Sequence, residues 1–248
     1  MAEALLAVRG LVKSFGGVRA VRDVSFAVAE GGITALVGPN GAGKTTIFAG
    51  IAGFVRPDAG SVRFAGEDLT GWRPDRIAAR GMVRTFQITQ PFAGLTVMEN
   101  IRVGAFLRHA SPAEAGACAR EIGARLGLGA MLDRPAASLT VAGRKRLEVA
   151  RALATGPRLM LLDEVMAGLN PSEINEIVAL IRAVHAGGVT ILMIEHIMQA
   201  VAALASTVHV LAEGALIAHG TPREIARDPV VIEAYLGHGA AARMALHG

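Results

Sequence analysis

The chain predicts an α/β fold with a mainly parallel core sheet, and three observations carry that prediction. Short apolar runs such as Ile33-Thr34-Ala35-Leu36-Val37, Leu159-Met160-Leu161-Leu162 and Val189 to Ile194 read as strands buried on both faces. Segments with helical spacing of apolar residues follow these runs. A glycine-rich loop, Gly38-Pro39-Asn40-Gly41-Ala42-Gly43-Lys44-Thr45-Thr46, joins the first run to a helix-like segment, Thr45 to Ala52.

In chain order, Leu5 to Val28 alternates short apolar runs with turns such as Phe15-Gly16-Gly17, which predicts antiparallel strands. The loop and its helix come next. Arg56-Pro57-Asp58-Ala59-Gly60 has turn chemistry and precedes a strand from Ser61 to Phe64. From about Gln90 to Ala154 the chain is rich in Ala, Leu and Arg at helical spacing, as in Glu114 to Leu128. A second strand–helix series starts at Leu159 and includes Val208-His209-Val210-Leu211. The expectation is one domain over 1–248. Its core would comprise about 1–89 and 155–248 with an antiparallel β subdomain, and 90–154 would form a helical subdomain.

Composition narrows the function classes. The 248 residues are 52% hydrophobic, yet the longest uncharged stretch, His196 to Ala212, is broken by polar side chains and does not read as a membrane span. No secretory signal is visible at Met1-Ala2-Glu3, so the expected location is cytoplasmic. An apolar chain without a span implies that some surface is covered by a partner. The formal charge is +4, but Lys and Arg are scattered outside Arg144-Lys145-Arg146 and aromatics are only 4%, which argues against nucleic acid. One cysteine, Cys118, excludes an internal disulfide and a cysteine metal site.

The glycine-rich loop has the G-x-x-x-x-G-K-[ST] spacing of a phosphate loop between a strand and a helix. Gly38, Gly41 and Gly43, with Pro39, Asn40 and Ala42 between them, let backbone N–H groups turn around phosphate oxygens. The following helix aims its free N–H groups and dipole at the same anion. Lys44 supplies charge to the β/γ-phosphates, the Thr45 hydroxyl suits Mg²⁺, and Thr46 completes the motif. The ligand implied is a nucleoside triphosphate. Leu159 to Leu162 runs into Asp163 and Glu164. As a strand, it would deliver Asp163 to the metal, directly or through a water, and Glu164 to the attacking water as general base or water-positioner. The alternative is that the two acids cap the N-terminus of a helix.

With these motifs in order, the chain from Leu5 to about Gly237 resembles the nucleotide-binding subunits of ABC transporters. The resemblance implies a P-loop NTPase of ABC type. In Arg84-Thr85-Phe86-Gln87, Gln87 falls at that family's Q-loop glutamine, a contact to Mg²⁺ and water that senses the membrane partner. His196, in Ile194-Glu195-His196, matches the switch histidine that bonds the γ-phosphate; Ala167-Gly168-Leu169-Asn170 matches the D-loop; Phe15 takes the place of the aromatic that stacks on adenine. The family's Leu-Ser-Gly-Gly-Gln signature binds the γ-phosphate held by the opposite subunit. Here the segment reads Leu139-Thr140-Val141-Ala142-Gly143, so Thr140 keeps the hydroxyl while Val141, Ala142 and Gly143 depart from the pattern. Two readings follow: Thr140, Ala142 and Gly143 still contact phosphate, or the composite site is loosened and hydrolysis slows. Val165 stands where the family usually has proline.

Arg84 to Gln87, Ala167 to Pro171, Ile194 to His196 and the tail from Gly220 to Gly237 are similar to the longer ATPase subunit of bacterial branched-chain amino acid importers. The tail also resembles the lipopolysaccharide-export ATPase. What the resemblance implies is an ATPase subunit on the cytoplasmic face of the inner membrane. It would pair head to tail with a second ATPase subunit, meet permease subunits through the groove at Ile88 to Val97, and serve a periplasmic solute-binding protein indirectly. DNA-clamping or ribosomal relatives, and a nucleotide-gated subunit with little hydrolysis, are the alternatives.

Overall fold

Alternation decides the first two strands. In β2 (Val18–Ala29), Val24, Phe26 and Val28 are buried while Ser25, Ala27 and Ala29 are exposed, the period of two that puts one face on a core. β1 (Ala4–Phe15) pairs with it antiparallel, Val8 opposite Phe26 and Leu11 opposite Val24. A computed structural model of the chain describes residues 4–85 and 91–236. Along the chain come β3 (Ile33–Val37), α1 (Lys44–Ile51), β4 (Ala59–Phe64), β5 (Glu67–Asp68), α2 (Pro74–Ala79) and β6 (Met82–Arg84). Then follow α3 (Val97–Ala105), α4 (Pro112–Arg125), α5 (Val141–Leu153), β7 (Leu159–Asp163), α6 (Pro171–Ala186) and β8 (Thr190–Ile194). The chain closes with α7 (Met198–Leu204), β9 (Thr207–Ala212), β10 (Ala215–Gly220), α8 (Pro222–Ile225) and α9 (Pro229–Leu236).

These elements pack into two compact units, one formed by Met1–Pro74 with Leu192–Gly248 and one by Asp75–Ile191, the division falling within β8. The first unit holds an antiparallel sheet of order β2-β1-β4-β5. It also holds β3, whose five residues are all buried, paired in parallel with β9 and neighboured on its other side by β8. β10 adds to β9 antiparallel, which makes this sheet mixed. The two-residue connection Glu213-Gly214 has φ of 47° and 81°, the left-handed pair that a tight hairpin requires. α1 packs on β1 and β2, with Ile47, Phe48 and Ile51 buried.

In the second unit β6 pairs in parallel with β7, Met82 opposite Leu159 and Arg84 opposite Leu161. The run at Leu159 is thus a strand, and because the next helix starts at Pro171 with Asn170 as its cap, the helix-cap alternative for Asp163 and Glu164 is set aside. α3 packs against both α4 and α5. Thr96 caps α3 and Asn170 caps α6, each in a reciprocal box with the glutamate three residues on, and Ser111 caps α4. The helix expected from Glu114 to Leu128 runs from Pro112 to Arg125, because Ser111-Pro112 starts it early and Gly127, at φ 74°, ends it. No helix among the described residues is long and apolar enough to cross a membrane.

Candidate functional site

The phosphate loop leaves β3 at Gly38 and enters α1 at Gly43. A Cβ at Gly38 would collide with the Leu211 carbonyl oxygen, and one at Gly43 with the carbonyl oxygen of Ala20. Both glycines also have positive φ, 152° and 98°, so close backbone approach and conformation select the same residue. Gly43 provides no side-chain cap for α1, and no acid lies in the first turn. The helix N-terminus therefore keeps N–H groups and positive potential for an anion. Lys44, 6% exposed, is folded back so that its Nζ donates to the carbonyls of Gly38 at 2.7 Å and Pro39 at 2.9 Å. Thr45 and Asn40 are exposed, whereas Thr46 and Pro39 are half-buried and Ala42 is buried.

Three further residues of this unit belong to the argument. Phe15 ends β1 half exposed at 50%, with the Lys13 ammonium 5.3 Å from its ring centre. His196 is exposed just beyond β8, after the buried Glu195. Tyr235 on α9 was not singled out by sequence reasoning. Burial pushes its phenol pKa up, and a hydrogen bond from the Gly38 main chain opposes that shift, so the tail reaches the phosphate loop.

The acids lie in the other unit. Asp163 ends β7 with no exposure, and its Oδ2 accepts from an Arg84 guanidinium nitrogen at 2.7 Å. Thr85 locks the same strand end: its N–H donates to Leu161 O at 2.9 Å and its Oγ1 accepts from Asp163 N at 3.2 Å. Glu164 follows at φ 47°, a left-handed conformation uncommon outside glycine, with its main-chain oxygen 3.5 Å from the buried Lys145 Nζ. Val165 is buried. Gln87 lies outside the described residues, as do Ile88 to Gln90.

Thr140 is the N-cap of α5, its Oγ1 accepting from Gly143 N at 3.1 Å. The hydroxyl noted in the sequence is thus engaged in its own helix. Val141 is 53% exposed, whereas Ala142 and Gly143 are buried, so the branched side chain is what a ligand approaching the helix end would meet. The partner-groove segment divides similarly. Phe92 is 48% exposed with the Arg151 guanidinium 5.3 Å from its ring centre, while Val97 is core. Buried Asn100, absent from the sequence reading, pins the loop by accepting from Phe92 N and donating to Phe92 O.

Each unit offers one hard oxygen donor of the expected set, the Thr45 hydroxyl in the first and the Asp163 carboxylate in the second. That is the donor chemistry Mg²⁺ takes alongside phosphate oxygens and water. Among the described residues no cluster of three or more His, Cys, Asp or Glu forms a self-sufficient metal cage. The residues present therefore fit an ion that arrives with its nucleotide.

Residues 21–167 match the family model described as ABC transporter, and 215–241 match the one described as branched-chain amino acid ATP-binding cassette transporter. The chain is 40% identical to the high-affinity branched-chain amino acid transport ATP-binding protein LivG of Salmonella typhimurium, over 96% of this chain and 99% of that one. It is 36% identical to the lipopolysaccharide export ATP-binding protein LptB of Acidithiobacillus ferridurans, over 94% of this chain and 97% of that one. Among solved structures it superposes on the ADP conformation of an ATP-binding cassette of an ABC transporter with a TM-score of 0.87 at 33% identity, covering 96% of this chain and 100% of that one. The chain belongs to the ABC transporter family, as a nucleotide-binding ATPase subunit.

Proposed function

We propose that this chain is the ATPase subunit of a branched-chain amino acid importer, working as one ATPase domain on the cytoplasmic face of the inner membrane. The observation that carries the substrate class is the tail. Residues 215–241 match the branched-chain family model, and the full-length relative LivG shares 40% of residues against 36% for LptB. Lipopolysaccharide export is the second reading, favoured by that 36% over nearly the whole chain.

In the proposed mechanism the loop N–H groups from Gly38 to Thr46 and the Lys44 ammonium bind the β/γ-phosphates, and Phe15 stacks on the base. To do so, Lys44 exchanges the Gly38 and Pro39 carbonyls for phosphate oxygens, a stronger charge-assisted contact. Glu164 takes the proton of the attacking water, and His196 donates to the γ-phosphate. Thr45, Asp163 and Gln87 would hold Mg²⁺, which supplies neutralisation of phosphate charge when bound. A second ATPase subunit would close head to tail so that its Thr140–Gly143 segment meets the γ-phosphate. Bound ATP would favour the closed pair by its extra contacts there. Permease subunits would receive this motion near Phe92 and Leu95, with the periplasmic solute-binding protein acting only through them.

The test is transport in vesicles containing the chain with its cognate permease. Leucine, isoleucine and valine uptake should require ATP and be lost with Glu164→Gln. ATP-dependent lipopolysaccharide movement without amino acid uptake would replace the proposal with the second reading.

A further inference from the structure

The Arg84–Asp163 pair has no place in the mechanism above, yet it is built with care. Arg84 stands opposite Leu161 in the parallel β6–β7 ladder, and Leu161 shares a strand face with Asp163. The guanidinium therefore needs only to reach forward along the strand to meet the carboxylate, at 2.7 Å. The side chains are 8% and 0% exposed, so water does not screen the pair. Neighbouring Thr85 fixes the backbone on both sides of Asp163 by its contacts to Leu161 O and Asp163 N, which leaves the carboxylate little freedom to turn away. Burying a carboxylate is costly unless a hydrogen-bonded counter-charge offsets its desolvation. Arg84 supplies such a charge.

We propose that Arg84 is a placeholder cation for Asp163, a positioning residue that holds the carboxylate aimed and with which an arriving metal must compete. This rests on the reading of Asp163 as the metal-facing acid given above. The competition has a sign. A fixed positive charge in contact with a metal ligand opposes binding of a second cation, so its removal should tighten metal binding. The pair thus makes the site stable when empty at the expense of metal affinity.

The test uses the full chain without any hydrolysis readout. Binding of a non-hydrolysed fluorescent ATP analogue is titrated with Mg²⁺ for wild type, Arg84→Met and Arg84→Lys. The Mg²⁺ midpoint should fall about three- to tenfold in Arg84→Met and stay near wild type in Arg84→Lys. An unchanged or higher midpoint in folded Arg84→Met would overturn the placeholder role. Thermal unfolding in EDTA provides the second measurement, as a cycle of Arg84→Met, Asp163→Asn and the double variant. The double variant should be more stable than the two single losses sum to, whereas simple additivity would overturn the pairing. The EDTA cycle needs no nucleotide, so a chain that showed the coupling but bound no ATP analogue would defeat the functional reading and leave the ion pair standing. Should Arg84→Met fail to fold, Arg84→Gln serves in both measurements with the same expected signs.

Discussion

Lys44 illustrates what single residues contribute. Its spacing from Gly38 and Gly43 made it legible as a phosphate ligand, but nothing in the sequence said that it would bond its own loop at 2.7 and 2.9 Å. Lys44→Ala should weaken ATP binding about 10- to 100-fold in a fluorescence titration, the range expected for a lost charge-assisted contact. His209 carries a different prediction. It is 8% exposed, stacks near His219 with ring centres 6.1 Å apart, and packs against Phe26 at 5.3 Å. Burial first, then the like charge of His219, hold its pKa below the ordinary 6.5, while the Ala27 main chain pulls weakly the other way. A folded pKa below the unfolded one gives stability that is full above about pH 6.5 and lost as the pH falls through the folded value. Unfolding free energies measured from pH 7 to 5 should decline by at most about 1.4 kcal/mol per pH unit from this group. His209→Phe should flatten that slope. Arg84 shows the limit of reading at this scale: its partner lies 79 positions away, and no local pattern encodes such a pairing.

Among the elements, those with strong local signals were legible. β3 and β7 announce themselves as unbroken apolar runs, and the phosphate-loop helix was placed within one residue of α1. β10 was not anticipated as a strand. Its residues are mostly half-buried rather than alternating, and it is defined by pairing with β9 across the Glu213-Gly214 hairpin. The start of α5 was read for ligand chemistry, but its first task is structural, since Thr140 caps the helix through Gly143 N. Thr140→Ala should cost about 1 kcal/mol in chemical denaturation through the cap alone. The same helix end tests the divergent signature. Val141 projects outward at 53% exposure while Ala142 packs inside, so the valine side chain is the one that would obstruct an approaching phosphate. In a Glu164→Gln background, Val141→Gly should lower the ATP concentration needed for pairing. An increase would mean that Val141 serves the contact.

At the scale of the whole molecule, fold class and family were readable because several motifs occur in one order along 248 residues. The catalytic arrangement was less so. The described structure places the phosphate loop, Phe15 and His196 in one unit and Asp163, Glu164 and Thr140 in the other, and Gln87 falls outside it. Which of these residues act on one nucleotide would be set in the loaded assembly, by ligand contacts rather than by any segment's pattern. The central claim is that ATP drives two ATPase subunits together. Light scattering on a sizing column, with purified Glu164→Gln in saturating Mg-ATP, tests it most directly. The mass should shift from that of one chain to that of two, and adding Lys44→Ala should abolish the shift; a single-chain mass at saturation would rule ATP-driven pairing out.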